Sequence, residues 1–187
     1  MASAVKHFIL QSSQRNTRRV TQRMNWLTII LCSIITIGTF LFMEGVAWFT
    51  HKYVMHGFLW TWHKSHHSVH DHALERNDLF AVVFSVPSII LIVVSTSVYP
   101  SPYLFSVGLG ILCYGIFYVV FHDVIVHQRI KWIPKKRSSY LQRMMHAHYI
   151  HHAKHTKENC EAFGFLYAPK KFEPKKFVLK KDRQETQ

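Results

Sequence analysis

Apolar residues in this chain come in three long blocks that are separated by polar, histidine-rich segments. The blocks cover residues 26–48, 79–99 and 102–121. Each holds about 20 residues, and at about 1.5 Å of rise per residue a helix of that length spans the roughly 30 Å hydrocarbon layer of a bilayer. The pattern therefore predicts an all-α integral membrane protein with three spanning helices.

The second and third blocks are joined by almost no loop. Ser101 is suited to cap the third helix and Pro102 to begin it. The third helix must then return to the side that the second helix left. Histidines that follow the third block therefore arrive at the same membrane face as histidines that follow the first block, although the two sets are far apart in sequence.

The formal net charge of +13 raises the question of nucleic-acid binding. Lys and Arg that flank spanning helices usually report orientation and contact with anionic lipid. The sequence shows no base-stacking platform or recognition helix, so we do not expect nucleic acid as a partner. The hairpin carries no Lys or Arg and the histidine-bearing side is rich in them. This asymmetry predicts that the histidine face is cytoplasmic.

We expect three parts along the chain: a polar N-terminal extension over residues 1–23, a membrane-embedded domain over 24–169 and a basic C-terminal tail over 170–187. The extension is itself basic, which conflicts with an external N-terminus after three crossings. It lies on the membrane surface, or the first block is re-entrant. The tail interleaves paired lysines with Phe172 and Phe177, so it either presses on anionic lipid or is a solvated tail.

Ten of the 15 histidines form one pattern that occurs twice, H-x4-H followed by H-x2-H-H. Side chains at i, i+3 and i+4 of a helix converge on one side. Pairs at i and i+5 converge only at a helix end, at a π-bulge or with two different neighbours. Ten converging imidazoles suit two metal ions with roughly three to five ligands each. The predicted ligands are His51, His56, His63, His66, His67, His122, His127, His148, His151 and His152.

The donor set restricts the choice of metal. Structural zinc sites favour cysteine, and the three cysteines lie apart from the histidine pattern. A hydrolytic zinc site needs a general base, as in HExxH, and none is evident. A metal transporter or sensor would need ligands at mid-membrane depth, whereas these histidines lie at the ends of the apolar blocks. Two iron ions that face the bilayer and carry out redox chemistry fit the pattern better.

Two carboxylates are candidates to support the site. Glu44 lies inside the first apolar block, two helical turns before His51, and is either functional or a helix-end group that reaches the headgroups. Asp123 lies four residues before His127; it either holds the second ring nitrogen of that imidazole or is exposed to the headgroups. Several aromatic residues are either walls of a substrate pocket or simple helix packing, namely Phe58, Trp60, Phe80, Phe117 and Phe121.

Four stretches carry a resemblance to a known family, namely MEGVAWFTHKYVMHGFLWTWHKSHH, NDLFAVVFS, HDVIVHQR and FGFLYAP. They resemble the bacterial β-carotene hydroxylases, in the fatty acid hydroxylase/sterol desaturase superfamily of membrane di-iron oxygenases. The resemblance implies two non-haem iron ions on the ten histidines and O2 as co-substrate. It implies hydroxylation of a carotenoid in the bilayer at carbon 3 of the β-ionone ring, from β-carotene through β-cryptoxanthin to zeaxanthin.

The same resemblance implies that electrons come from a ferredoxin-type donor and its NAD(P)H-dependent reductase. The alternative is a related membrane di-iron oxygenase that acts on another lipid: a carotenoid ketolase, a sterol oxidase or a fatty acid hydroxylase.

Overall fold

The computed structural model describes residues 25–68, 74–129 and 138–174, and every regular element within these ranges is helical. The all-α prediction is therefore confirmed. The N-terminal extension and the lysine-rich end of the C-terminal tail lie outside the described residues. We number the α-helices α1 (Trp26–Phe49), α2 (Trp60–His63), α3 (Leu79–Val93), α4 (Pro102–Tyr118) and α5 (Ser139–His152).

Three of these helices continue as π-helix, in which backbone hydrogen bonds run from i to i+5. The π segments are Thr50–Phe58 after α1, Val94–Val98 after α3 and Val119–Val126 after α4. A short 3₁₀ turn, Lys64–His67, follows α2, and another, Arg76–Asp78, precedes α3. With these extensions, three helices are long and apolar enough to cross a membrane: Trp26–Phe58, Arg76–Val98 and Pro102–Val126.

The hairpin between α3 and α4 is built as the sequence predicts. The Ser101 side chain accepts a hydrogen bond from the backbone N–H of Leu104 at 3.3 Å, and Pro102 is the first residue of α4. A 3₁₀ capping box starts the opposite end of α3, where Glu75 and Asp78 each accept a backbone N–H of the other. This box fixes the position of Glu75 beside the histidine-bearing face.

Helix α4 packs between α1 and α3, and two of its glycines permit the close approach. A Cβ on Gly110 would lie 2.6 Å from a side-chain carbon of Thr39 in α1, and one on Gly108 would lie 3.0 Å from Ile92 in α3. The Ser88 hydroxyl donates to the Gly108 carbonyl at 2.8 Å. Small residues and hydroxyl hydrogen bonds are the usual means of joining helices in lipid. Large apolar side chains on the outer faces, such as Phe42 and Ile89, are exposed.

The buried core lies at one end of the three long helices. Met43 and Ala47 of α1 and Tyr114 of α4 form one cluster with α5 and with the segment that follows it. That segment contributes Phe165 and Phe172. The core therefore fastens α5 and residues 153–174 over the ends of α1 and α4, where the histidines lie.

Candidate metal centre

All ten histidines of the repeated pattern lie together, in two groups of five. In each group, the five ligand-type nitrogens are within 4.8 Å of one another. The first cluster is His51, His56, His63, His67 and His151, and the second cluster is His66, His122, His127, His148 and His152. The long sequence separation between the two halves of the pattern is therefore cancelled by the fold.

Each cluster takes one histidine from the other half of the chain. In each H-x2-H-H triplet, the residues at i and i+4 join the cluster of their own half of the chain. The residue at i+3 joins the other cluster, so His66 completes the second cluster and His151 completes the first. The Nε2 atoms of His66 and His122 are 2.8 Å apart, and those of His56 and His151 are 3.1 Å apart. Sequence reasoning did not predict this exchange.

The π segments explain why the H-x4-H pairs converge. The His127 N–H bonds to the His122 carbonyl at 2.9 Å, from i+5 to i. His51 and His56 lie in the π segment Thr50–Phe58, which is kinked at Gly57. The wider π-helical turn brings side chains at i and i+5 closer to one face than a regular α-helix does. Ring centroids are 5.2 Å apart in the His51–His56 pair and 4.5 Å apart in the His122–His127 pair.

The outer ring nitrogens of the first cluster all meet neutral carbonyl oxygens. Nδ1 of His63 lies 2.7 Å from the side-chain oxygen of Asn77. The other four meet backbone carbonyls at 2.8–3.2 Å, those of Phe163, Lys157, Lys154 and Glu161 for His51, His56, His67 and His151 respectively. A carbonyl oxygen only accepts hydrogen bonds, so each Nδ1 carries the proton and each Nε2 lone pair points inward.

Two outer nitrogens of the second cluster meet carboxylates instead. Nδ1 of His66 lies 3.1 Å from Glu75 Oε2, and Nδ1 of His122 lies 2.7 Å from Asp123 Oδ1. Arg129 pairs with the other oxygen of Glu75 and, at 2.8 Å, with Asp78. The alternative in which Asp123 holds His127 is not observed, because Asp123 bonds to the adjacent His122. The π-helical backbone removes the i, i+4 alignment on which that alternative rested.

Sequence reasoning also missed Glu75, Asn77 and Arg129. It looked for supporting carboxylates on the same helices as the histidines. Glu75 and Asn77 stand in the polar stretch before α3, and the hairpin topology brings that stretch to the histidine face. A signal was available, because acidic and amide residues next to the start of a spanning helix belong to the same membrane face.

Burial lowers the pKa of the clustered imidazoles that lie outside the spanning helices. Eight of the ten are 6% exposed or less. Burial, reinforced by neighbouring histidines, lowers the pKa of His67 to about 4 and the pKa of His127 to about 3. Burial also lowers the pKa of His63 to about 2 and the pKa of His151 to about 3. Neutral imidazole is the form that binds metal.

The inner nitrogens fit metal ions better than they fit one another. Nε2 atoms face each other at 3.1 Å between His51 and His63, although the Nδ1 contacts of both rings leave no proton between these atoms. Metal–nitrogen bonds of about 2.1 Å would put adjacent ligand nitrogens about 3.0–3.4 Å apart, for bond angles of about 90–109°. Nε2 of His152 is buried and has no hydrogen-bond partner among the described residues, as expected of a ligand atom. No thiol joins either group in the described chain, which suits iron or zinc with imidazole.

The histidines are approached from two sides. A largely apolar cavity of about 500 Å³ lies among α1, α3 and α4. It reaches His51 and His63 of the first cluster and His122 of the second. On the other side, a cleft of about 480 Å³ is lined in part by histidines of the second cluster, including His127 and His152.

Glu44 makes no hydrogen bond to a histidine within the described ranges, and its carboxylate is held by other partners. Its Oε2 accepts a hydrogen bond from the Tyr114 hydroxyl at 2.7 Å. Its Oε1 accepts the backbone N–H groups of Phe165 and Leu166 at 2.8 and 2.9 Å. A carboxylate within α1 therefore holds the C-terminal segment, whose Phe163 carbonyl in turn meets His51.

Of the five aromatic candidates, only Phe80 lines the largely apolar cavity among α1, α3 and α4. Phe117 and Phe121 pack in the core, and the Trp60 ring lies against His56 with centroids 5.1 Å apart. Phe58 is 77% exposed.

Comparison with known proteins gives consistent matches. The family model "Fatty acid hydroxylase" matches residues 36–168. A β-carotene hydroxylase from Paracoccus sp. (strain PC1) is 46% identical over 139 residues, which are 73% of this chain and 83% of that protein. A β-carotene hydroxylase from Pantoea ananas is 46% identical over 140 residues, 73% of this chain and 77% of that protein.

Plant relatives match more distantly. The chloroplastic β-carotene 3-hydroxylase 1 of Arabidopsis thaliana is 34% identical over 142 residues, which are 74% of this chain and 45% of that protein. No solved structure gives a significant match.

Proposed function

The chain belongs to the fatty acid hydroxylase family, and on that basis we propose that it is a membrane β-carotene hydroxylase. It acts as an O2-dependent oxidoreductase that hydroxylates the β-ionone ring at carbon 3, giving first β-cryptoxanthin and then zeaxanthin. One observation carries the proposal: a largely apolar cavity between the spanning helices ends on histidines of both clusters.

The ten histidines would hold two iron ions, five to each cluster. When bound, the iron ions supply the reductive activation of O2 and the insertion of one oxygen atom into a C–H bond. The overall reaction consumes the carotenoid, O2, two electrons and two protons, and yields the alcohol and water. We assign the electrons to a ferredoxin-type donor and its NAD(P)H-dependent reductase, which would approach from the aqueous side.

The protein positions the substrate and excludes water. A carotenoid dissolved in the bilayer offers one ring end to the cavity, where Phe84 and Ile111 are among the apolar walls. Contact between the ring and the apolar side chains binds the substrate and displaces water from the cavity. The carbonyl partners of the first cluster keep the imidazole protons on Nδ1, so that Nε2 stays free for the metal.

Charge supports a cytoplasmic histidine face. The described residues on that side include Lys52, Lys64, Arg76 and Arg129, and the 99–101 hairpin carries no basic residue. Lys and Arg collect on the cytoplasmic side of short membrane segments. We therefore assign the protein to a bacterial inner membrane, with the metal centre on the cytoplasmic side.

Expression in a β-carotene-producing bacterium, followed by pigment chromatography, tests the proposal. The expected products are β-cryptoxanthin and zeaxanthin. A 4-keto product, or unchanged pigment with an altered fatty acid profile, would instead indicate a sibling oxygenase.

A matched pair of variants on α5 tests the metal centre. His148→Asn removes a member of the second cluster and should abolish product and lower the iron content of the purified protein. His146→Asn is two residues away and belongs to neither cluster. Its Nδ1 lies 2.8 Å from the Phe172 carbonyl, and an asparagine amide N–H can replace that contact, so this variant should keep activity. Equal behaviour of the two variants would contradict the assignment of the ligands.

A further inference from the structure

The two clusters differ in the charge of the groups that hold their imidazoles. This difference bears on the metals only if iron is bound, so the inference below rests on the proposed function. In the first cluster, all five outer nitrogens meet neutral oxygens. In the second cluster, the outer nitrogens of His66 and His122 meet the carboxylates of Glu75 and Asp123.

The two carboxylates of the second cluster differ in their charged partners. Arg129 pairs with Glu75 and also with Asp78. Asp123 makes its hydrogen bond to His122, and no salt bridge to an Arg or Lys is found for it among the described residues. The Glu75 side chain is only 6% exposed, so water screens its charge weakly.

A carboxylate that accepts the imidazole N–H changes the ferric-over-ferrous preference of the iron bound to that imidazole. An imidazole that donates its N–H to a carboxylate is a stronger electron donor to the metal than one that donates to a carbonyl. Negative charge close to a metal ion also favours the ion of higher charge. Both effects act in the same direction, and both favour ferric over ferrous iron in the second cluster.

We propose that the two iron sites are inequivalent and that the iron held by the second cluster is oxidised first. Asp123 and Glu75 are the positioning residues that set this order, through His122 and His66. Neither carboxylate is assigned a direct contact with iron, substrate or oxygen.

The chain offers two reciprocal, nearly isosteric variants for the test. Asp123→Asn keeps an oxygen to accept the His122 N–H and removes a negative charge from the second cluster. Asn77→Asp keeps the oxygen that accepts the His63 N–H at 2.7 Å and adds a negative charge to the first cluster. Each variant preserves one hydrogen bond and changes one charge. The change lies beside the second cluster in Asp123→Asn and beside the first cluster in Asn77→Asp.

The experiment is a redox titration of the purified full chain, loaded with two iron ions and followed by Mössbauer and EPR spectroscopy. The wild type should show two quadrupole doublets and a mixed-valent state between two one-electron steps. Asp123→Asn should raise the potential of the lower step alone, and Asn77→Asp should lower that of the upper step alone. Loss of the hydrogen-bond partner of a metal-binding imidazole typically changes metal affinity 10–100-fold. A tenfold change in the ferric-over-ferrous preference corresponds to about 59 mV for one electron.

Two results would overturn the inference. One is a wild-type protein in which both irons give a single doublet and titrate in one step. The other is a variant that moves the opposite step or neither step. If Asp123→Asn does not bind iron, the potentials of the wild type and of Asn77→Asp still test the inference. A chain that binds no iron at all would overturn the proposed function as well, so the two failures are distinguishable by iron content.

Discussion

Replacing Glu44 tests whether a single carboxylate within α1 holds the metal centre in place from a distance. The side chain accepts three hydrogen bonds, from the Tyr114 hydroxyl and from the backbone N–H groups of Phe165 and Leu166. Glu44→Leu keeps the approximate volume and removes every acceptor. Three donors, part-buried in this region, then lose their partner.

The magnitude follows from the number of donors. A buried donor left without a partner costs about 1–3 kcal/mol. Three part-buried donors at the low to middle part of that range come to about 3–6 kcal/mol, against a typical stability of about 5–15 kcal/mol for a folded domain. The segment that is released carries the Phe163 carbonyl, which meets His51 Nδ1 at 3.0 Å. Loss of that contact should also weaken iron binding by the first cluster, by about 10–100-fold.

Glu44→Gln is the matched control. The amide oxygen can still accept the two backbone N–H groups, and the Tyr114 hydroxyl can turn to accept from the amide NH2. We expect Glu44→Gln to keep the melting temperature and iron content close to wild type, and Glu44→Leu to lower both. The measurements are thermal unfolding in detergent and iron per chain. If Glu44→Gln failed as badly as Glu44→Leu, the negative charge and not the hydrogen-bond geometry would be what matters. A wild-type result for Glu44→Leu would refute the reasoning altogether.

Three further predictions concern helix packing, the C-terminal segment and pH. Gly110→Ala should lower the yield of folded protein in detergent, because its Cβ would lie 2.6 Å from a side-chain carbon of α1, whereas Gly38→Ala meets nothing within 4 Å and should be tolerated. Gly164→Ala should lower iron content, because its Cβ would lie 2.5 Å from Glu44 Oε1; unchanged iron content would contradict this. Burial lowers the pKa of His67 to about 4 in the folded chain. In the unfolded chain this pKa keeps its ordinary value of about 6.5, so below about pH 6.5 the unfolded chain binds more protons than the folded chain. The melting temperature of the metal-free protein should therefore be highest above about pH 6.5 and fall as the pH drops towards about 4, and a flat profile would contradict the assignment of buried neutral imidazoles.

Much of the fold could be predicted from the sequence because hydrophobic blocks of spanning length leave few alternatives. The Pro-Ser-Pro hairpin then fixed which ends share a membrane face, and this placed His122 and His127 near His51 and His56. Ser101 caps α4 as expected. These features depend on local chemistry and on chain connectivity, and both can be read in the sequence.

The partners of the imidazoles could not be predicted in the same way. Four of the five partners of the first cluster's outer nitrogens are backbone carbonyls, and any residue type supplies such a group. Their position depends on how residues 154–163 fold back over the site. One of the two alternatives for Asp123 paired it with His127, which requires a regular α-helix at a place where the backbone is π-helical. The H-x4-H spacing is compatible with a π-bulge among other arrangements, and a π-bulge removes the i, i+4 alignment of Asp123 with His127.

The exchange of His66 and His151 joins the two metal sites into one unit. His66 serves the second cluster while His67, its neighbour in the chain, serves the first; His151 and His152 are related in the same way. A backbone shift that spoils the geometry at one site must therefore move a ligand of the other. Two independent sites could be emptied one at a time, whereas sites that share adjacent residues in two helical turns resist separate loss. If the reaction uses one iron ion in each cluster, as proposed above, this interleaving favours the form in which both clusters are filled over a form with a single iron.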